Sequence, residues 1–500
     1  MRTVINPQLQ IGEQDIGAIQ LDPKSRDDIP QILLGLQHIY LTPEIRQPIF
    51  ALLEEILPEH QDGEGKRKAD PNNGRPGMSQ WHIFVLGVLR LGLNADYDRL
   101  HELANQHKTL RQMLGHSGWM DDKYYTLQTL KDNLRLFTPE ILDRINQVVV
   151  RAGHQALKKS PEDALVGRCD SFVGETHVHF PTDINLLLDA IRKVIDISAD
   201  LADTFGLPGW RQHAHHQRQF KKQYRKVQRL KHSTSKDEKK KQQKQDEIQD
   251  AHRAYIDLAK EHLSRAEHTL QHVPHNDPIA HIQRIKLDDF IQHALRQIDQ
   301  IDRRVLQGEK IPHEEKVFSL FQPHTEWISK GKAGVPVELG LRICVMEDRD
   351  GFILHHHVME KTTDDKVAVA MVEETKKKFP TLRAVSMDKG FHSPANQKAL
   401  KEQLECVVLP KKGRLSKADK ERESTPEFKQ LRKQHSGVES AINALEVHGL
   451  DTCPDHGIDG FKRYTALAVV ARNIHRLGAV LRQQEQEKAQ RKRGPYKQAA

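Results

Sequence analysis

Long apolar runs are missing from this 500-residue sequence, and cysteine is scarce. The most apolar run, Ala466 to Ala471, is far shorter than the roughly 18 residues that a membrane-spanning helix needs. The opening MRTVINPQLQ lacks the basic and then apolar segments of a secretory signal. The four cysteines form no Cys-x-x-Cys pair, which argues against a disulfide framework and a zinc ribbon. These absences predict a cytoplasmic protein with reduced thiols and no membrane partner.

Positive charge is concentrated in one segment. The chain has 77 Lys and Arg against 69 Asp and Glu, a formal charge of +8. The segment 211–241 alone holds twelve basic residues and two acids, so the rest of the chain is slightly acidic. Lysine and arginine that neutralise phosphates release counterions, so this segment is typical of a polyanion-binding surface. Its candidate contacts are Lys221, Lys222 and Arg225, and the alternative is a solvated helical face.

The first 155 residues carry helical patterns and no strand pattern. Residues 1–77 form an N-terminal helical segment that ends in a charged Gly/Pro/Asn linker from Gln61 to Gly77. Residues 78–155 are predicted to form a helical domain, with Ser79, Asp96 and Thr138 as helix caps. Short helices joined by turns are common in DNA-binding proteins, and they are equally common in domains without that role.

Strand patterns begin at Ala164 and return after a long helical stretch. The strand 164–173 is followed by polar, helical sequence from about 184 to 305, and the chain then alternates apolar and mixed residues from Val337. We therefore predict an α/β (α+β) core with a mixed sheet of three antiparallel and two parallel strands, interrupted after its first strand. The predicted boundaries are 160–200 and 315–483 for the core, 201–312 for the basic helical insertion and 484–500 for a basic tail.

Two acids stand on strands of this predicted core. Asp170 lies within the first apolar strand, and Asp388 ends the strand that precedes Lys389. An acid at the carboxyl end of a buried strand lies where α/β sheets build their sites. A turn or helix cap is the alternative for each of them. Glu175 and Asp183 are rivals for the first acid, and Asp183 is more typical of a cap because it follows Pro-Thr.

A third acid comes from a helix. At 100° per residue, one polar stripe of this helix contains Arg432, His435, Glu439, Asn443 and Glu446. Apolar residues occupy the adjoining stripe, so we expect the helix to pack on the sheet and to turn Glu439 toward its edge. A surface helix with salt bridges would give the same stripe. Three converging carboxylates are typical of a site for Mg²⁺ or Mn²⁺, and two such ions support in-line displacement at phosphorus.

Five motifs in order give the chain a family resemblance. They are CDSFVGETHVHFPTD around Asp170, WISKGKAGVPVELGLRI, SMDKGFHSP around Asp388, RKQHSGVESAINALEVHGL around Glu439, and GFKRYTALAVVARNIHRLG. With them the chain resembles DDE transposases of bacterial insertion sequences, most closely the ISNCY group, and so the RNase H-like fold shared with retroviral integrases. The resemblance implies that Asp170, Asp388 and Glu439 are the catalytic triad and hold two Mg²⁺ or Mn²⁺ ions.

The resemblance also implies partners. It implies that the helices of residues 78–152 recognise the element end, and that a homodimer or higher oligomer acts on paired ends of double-stranded DNA near the nucleoid. Further DNA-positioning residues are predicted at Arg432, His435, Asn443, Lys389, Lys330 and Lys332. The related tyrosine-arginine-glutamate-lysine signature is incomplete, because His435 and Glu446 stand where it has arginine and lysine. For Lys330 and Lys332 a solvated turn is the alternative.

The predicted function is a DNA transposase that cuts element ends and joins the freed 3′-hydroxyls to target DNA. Two alternatives stay open. One is a metal-dependent nuclease on the same fold without strand transfer, and the other is a transposase-derived DNA-binding protein that no longer cuts.

Overall fold

The computed structural model describes residues 4–5, 13–57, 77–117, 122–274, 277–329 and 336–492. Nearly all of the predicted linker, Lys330, Lys332 and the last eight residues of the predicted tail lie outside the described residues. The chain forms two compact units, Met1–His177 with Ile328–Ala500, and Val178–Trp327. No helix in the described ranges is both long enough and apolar enough to cross a membrane.

In the part of the chain that the structure describes, the first unit begins with seven α-helices, most of them started by a side-chain cap. Asp27, Ser79, Asp96, Thr126 and Thr138 each accept a hydrogen bond from a first-turn N–H group, as N-caps do. The helices are α1 (Asp28–Leu41), α2 (Pro43–Glu54), α3 (Gln80–Gly92), α4 (Tyr97–Gln106), α5 (Lys108–Met113), α6 (Leu127–Leu134) and α7 (Pro139–Ala156).

A seven-stranded mixed sheet follows. Its strands are β1 (Leu165–Thr176), β2 (Glu326–Ser329), β3 (Val337–Asp348), β4 (Ile353–Met359), β5 (Leu382–Met387), β6 (Cys406–Val408) and β7 (Thr452–Cys453). Strand β3 is antiparallel to both β1 and β4, whereas β5 is parallel to both β1 and β6. The order β4-β3-β1-β5-β6 is consistent with an RNase H-like fold, and it contains the three antiparallel and two parallel strands that the sequence predicts.

Helices of the first unit surround this sheet. They are α12 (Asp364–Lys378), α13 (Pro394–Gln403), α14 (Lys417–Ser424), α15 (Pro426–His435), α16 (Gly437–Leu445) and α17 (Gly457–Lys492). Helix α17 extends through residues 484–492, the first part of the predicted basic tail. It packs against α1, α3 and α7 as well as β4, so the N-terminal helices and the sheet share one hydrophobic core. Inside this core, Asn473 on α17 hydrogen-bonds both to Asn146 on α7 and to the backbone of Ile353.

The second unit is helical. It contains α8 (Asp183–Phe205), α9 (His213–Arg229), α10 (Glu238–His272) and α11 (Pro278–Ile301). Helix α8 lies in this unit, although the sequence assigned residues up to 200 to the catalytic core. The physical reason is packing, because apolar residues of α8 such as Leu187 and Ile191 join α10 and α11 in a core separate from that of the first unit.

Candidate active site

Strand register places two of the predicted acids side by side. Asp170 lies within β1, as predicted, and β1 runs on to Thr176, three residues beyond the predicted strand end at Val173. Asp388 directly follows β5. The last pair between the parallel strands β1 and β5 joins Cys169 to Met387, so Asp170 and Asp388 each come one residue later. Paired residues of neighbouring strands lie about 4.8 Å apart, and their side chains point to the same face of the sheet. Continued by one residue, this register sets the carboxylates of Asp170 and Asp388 on one face.

Glu439 reaches this face from α16. Val438, Ala441 and Leu445 are buried, and the helix packs against β1 through this apolar side. The exposed Glu439 stands near the helix N-terminus, where the helix dipole favours a negative charge. At Gly437 a β-carbon would lie 1.7 Å from the Arg168 guanidinium on β1, so glycine is what allows the helix to come this close.

The acids act on each other electrostatically. Burial, together with the charges of Asp388, Asp364 and Glu439, raises the pKa of Asp170 to about 6. A hydrogen bond from the backbone N–H of Ser171, at 2.8 Å, partly opposes these effects. Because ionised Asp170 is disfavoured by burial and by three neighbouring carboxylates, the site has a strong electrostatic demand for a cation.

We expect this raised pKa to appear in folding stability. A carboxyl whose pKa is higher in the folded protein stabilises the fold below its unfolded pKa of 3.8 and loses that contribution as pH rises through about 6. In metal-free protein, the change in the free energy of unfolding caused by Asp170→Asn is therefore expected to be more stabilising at pH 7 than at pH 4. Urea unfolding of both proteins at the two pH values measures this, with Glu402→Gln, an exposed acid on α13, as the control. An equal difference at both pH values would contradict the expectation.

Asp364 is a fourth carboxylate that the sequence did not single out for this site. The sequence indicates only an acidic first turn of α12, where Asp364 indeed lies. In the structure its Oδ1 accepts a hydrogen bond from the Ser171 hydroxyl at 2.7 Å. A β-carbon on Gly390 would lie 3.0 Å from its Oδ2, so Asp364 stands between β1 and the turn that follows Asp388.

Arg168 was also missed by sequence reasoning. Its guanidinium donates to the backbone carbonyls of Gln434 and Asp348 at 3.2 and 2.7 Å, and it forms an ion pair with Glu347 at 2.7 Å. It therefore ties the end of α15 to the strand that carries Asp170. The sequence feature that could have identified Arg168 is a basic residue inside an otherwise apolar strand, two positions before an acid.

The predicted single polar stripe through Glu439 is wrong. The helix is interrupted at Ser436 between α15 and α16, and it changes at Glu446 to a π-helical turn, Glu446–Leu450. Arg432 consequently lies on another helix from Glu439, and its closest ion-pair partner is Glu423 at 3.9 Å. His435 does reach the site, because its Nδ1 lies 3.1 Å from the Ser386 hydroxyl and its ring is influenced by the charges of Asp388 and Glu439.

The other predicted DNA contacts lie in different places. Lys389 and Asn443 are exposed, one directly after Asp388 and the other one helical turn after Glu439. On α9 in the second unit, Lys221, Lys222 and Arg225 are exposed. Lys330 and Lys332 are not among the described residues.

Potential metal ligands also gather elsewhere. Among the described residues, two sets of three ligand atoms lie within 4.8 Å of one another, Asp28–His448–His475 and His154–Asp348–Asp350. The three predicted catalytic acids are not such a set, so their oxygens are spread more widely than the coordination sphere of one ion. In the second set, Asp348 is already engaged, because its carboxylate accepts hydrogen bonds from His154 and from the N–H groups of Asp350 and Phe352.

Comparison with known proteins gives one match. Residues 302–474 match the family described as Transposase DDE domain. The matched range contains Asp388 and Glu439, and Asp170 lies before it. Searches of curated proteins and of solved structures gave no match. The matched family consists of transposases, which are metal-dependent enzymes of the nuclease and transferase class. The chain is therefore similar to the DDE transposase family over residues 302–474.

Proposed function

We propose that the protein is the DNA transposase of an insertion sequence, and that Asp170, Asp388 and Glu439 are its catalytic carboxylates. The main support is the register of β1 and β5, which sets Asp170 beside Asp388. The charges of Asp388 and Glu439 also raise the pKa of Asp170, as expected for neighbouring carboxylates. The family match supports the same reaction class and covers two of the three residues.

The donor set fits divalent magnesium or manganese. All of its members are carboxylates, the hard oxygen ligands that these ions prefer, and the mutual repulsion at Asp170 is what a cation would relieve. Asp170, Asp388 and Glu439 would hold the ions, and Asp364 is close enough to contribute. Two ions that share such carboxylates stand roughly 3.5–4 Å apart. When bound, the ions supply charge stabilisation for phosphoryl transfer and activation of the attacking oxygen.

Neighbouring side chains position these carboxylates. Arg168 joins β1 to α15, and Gly437 brings α16 into contact with that guanidinium. Ser171 joins β1 to Asp364, and Ser386 on β5 joins His435. The Arg168 and Ser386 contacts hold β1 and β5 to α15, the helix that precedes α16, and the Ser171 contact holds β1 to α12. The sheet and its hydrogen bonds therefore support the spacing of the acids.

We further propose that α9 contacts DNA phosphates. The double variant Lys221→Gln/Lys222→Gln is expected to weaken DNA binding equally for all sequences. Each lost phosphate contact should also lower the slope of log affinity against log salt by about 0.9. Fluorescence anisotropy with a labelled duplex at several salt concentrations measures both quantities.

The matched control is Lys398→Gln/Lys401→Gln, which removes the same charge from exposed positions of α13. An equal loss of affinity and of slope in both double variants would indicate a general charge effect and would contradict a contact at α9.

The predicted end-recognition role of residues 78–152 remains a proposal, and α3 is a poor candidate for a recognition helix. Twelve of its thirteen residues are buried, and only His82 is partly accessible. A helix enclosed by protein has no surface to place in a DNA groove. We therefore assign end recognition to the more exposed α4 and α6 (Leu127–Leu134).

A strand-joining assay tests the proposed function. Purified full-length protein, Mg²⁺ and a labelled duplex carrying the element end are incubated with a target plasmid. A transposase gives both a nicked end and a joined product. Cleavage without joining would support the nuclease alternative, and binding with neither product would support the non-cleaving DNA-binding protein. Joining that requires two element ends would support the proposed oligomer.

A further inference from the structure

Asp28, His448 and His475 come together in the first unit, on parts of the chain that are far apart in sequence. Asp28 begins α1, His448 lies in the turn after α16, and His475 lies on α17. One ligand atom from each residue lies within 4.8 Å of the other two. Nε2 of His475 is 3.1 Å from Oδ1 of Asp28, and the two imidazole rings have centroids 5.2 Å apart.

This geometry is close to that of a metal site. Two ligands of a tetrahedral zinc ion, each roughly 2.0–2.1 Å from the metal, are separated by about 3.3 Å. The distance between Nε2 of His475 and Oδ1 of Asp28 already matches that edge, and the ligand atom of His448 lies within 4.8 Å of both. Two histidines and one carboxylate, with further positions open to water, are a ligand set for zinc and related transition metals.

Neighbouring groups orient the ligands. The His448 imidazole is hydrogen-bonded to the backbone of Gly92, at the end of α3. A ligating histidine commonly donates its second ring nitrogen to a carbonyl in this way, which fixes the ring and its tautomer. The amide nitrogen of Gln31 lies 3.0 Å from Nε2 of His475, a contact that a bound ion would replace, and it donates to the His475 carbonyl at 3.2 Å. The positive charge of Arg472 lowers the pKa of both rings, which favours the neutral imidazoles that bind metals.

The two helices that supply Asp28 and His475 are held at a fixed distance. A β-carbon on Gly35 of α1 would lie 2.5 Å from the carbonyl of Ile474, and one on Gly478 of α17 would lie 2.0 Å from the carbonyl of Gln31. The backbones of α1 and α17 therefore touch on either side of His475. Ligands on such rigidly packed helices pay little ordering entropy when an ion binds.

We propose that Asp28, His448 and His475 bind one transition-metal ion of the zinc class, separate from the ions of the catalytic carboxylates. The ion joins α1 and α17 to the Glu446–Leu450 turn. This turn directly follows α16, and His448 is nine residues after Glu439. The bound ion therefore anchors the C-terminal end of the helix that carries Glu439.

Metal titration of the full-length protein tests the site. Chelator-treated protein is titrated with Zn²⁺ by calorimetry and with Co²⁺ by visible absorption, in excess Mg²⁺ to occupy the carboxylate site. We expect one ion per chain and a rise in the temperature of unfolding when it binds. His448→Gln, His475→Gln and Asp28→Asn should each weaken binding by about tenfold or more, because each removes a ligand.

Two controls separate this site from others. His357→Gln removes an exposed histidine of β4 in the same unit, and Asp388→Asn alters the catalytic carboxylates, so neither should change Zn²⁺ binding. Circular dichroism of each metal-free variant verifies folding. Binding that persists in both histidine variants, that is lost only in Asp388→Asn, or that is not saturable in the unaltered protein would overturn the proposal. The outcome is independent of whether the protein cleaves DNA.

Discussion

Asp388→Asn is expected to lower DNA cleavage by about a thousandfold or more while DNA binding stays within about twofold. The substitution removes a negative ligand oxygen and leaves side-chain size nearly unchanged. A bound metal ion contributes several kcal/mol of charge stabilisation in the transition state, and each 1.36 kcal/mol corresponds to a tenfold change in rate. Gel-based cleavage of a labelled element end, with anisotropy on the same duplex, measures the two properties separately.

Glu402→Gln is the matched control for this prediction. It removes one carboxylate from an exposed position of α13 in the same unit, so cleavage should be unchanged. If Asp388→Asn cleaves as well as the unaltered protein, the assignment of the catalytic carboxylates is wrong. A parallel loss in Asp170→Asn and Glu439→Gln is expected, because the three groups hold the ions together and their effects do not add.

Gly478→Ala is expected to destabilise the first unit by about 2 kcal/mol or more. Its new β-carbon would lie 2.0 Å from the backbone oxygen of Gln31, so α1 and α17 must separate. Overpacking a well-packed interior costs about 1–3 kcal/mol, and more where a backbone is displaced, whereas alanine in a helix recovers only about 1 kcal/mol over glycine. Urea unfolding followed by circular dichroism measures the change.

Gly460→Ala, on the same helix, is the control. There the nearest atoms to a new β-carbon are 3.5 Å away, which is ordinary contact, so the substitution is expected to be neutral or slightly stabilising. Equal stability of the two variants would show that the close approach of α1 and α17 does not limit the packing of this unit. The same pair is informative for the metal site, because Gly478→Ala should also weaken Zn²⁺ binding.

Periodicity and turn residues were enough to predict most strands of the sheet. Alternation from Val337 predicts β3, the sequence Asp-Arg-Asp-Gly that follows it is typical of a hairpin turn into β4, and the apolar run from Leu382 is typical of the buried strand β5. These signals are local, since a strand buried on one face shows a period of two and a tight turn needs glycine or aspartate nearby. Asp388 could be located for the same reason, because the end of β5 is visible in the sequence.

The extent of β1 and the break at Ser436 were not predictable in the same way. β1 continues through polar residues to Thr176 because β3 and β7 pair with it there, which depends on chain more than 160 residues away. The helix through Glu439 is interrupted where the Arg168 guanidinium binds the Gln434 carbonyl. Helical periodicity cannot reveal a hydrogen bond from a distant strand, so the predicted stripe from Arg432 to Glu446 was too long.

The amino-acid sequence by itself determined the kinds of chemistry available: carboxylates on strands and a helix, one basic helical segment and the family motifs. Tertiary structure alone decided which groups meet. In the folded chain Asp364 lies near Asp170, Arg168 contacts α16 at Gly437, and Asp28, His448 and His475 lie close together. The physical reason is that local patterns reflect interactions within a turn or a strand pair. Contacts between residues that are hundreds of positions apart in sequence form only when the hydrophobic cores pack and buried polar groups form hydrogen bonds.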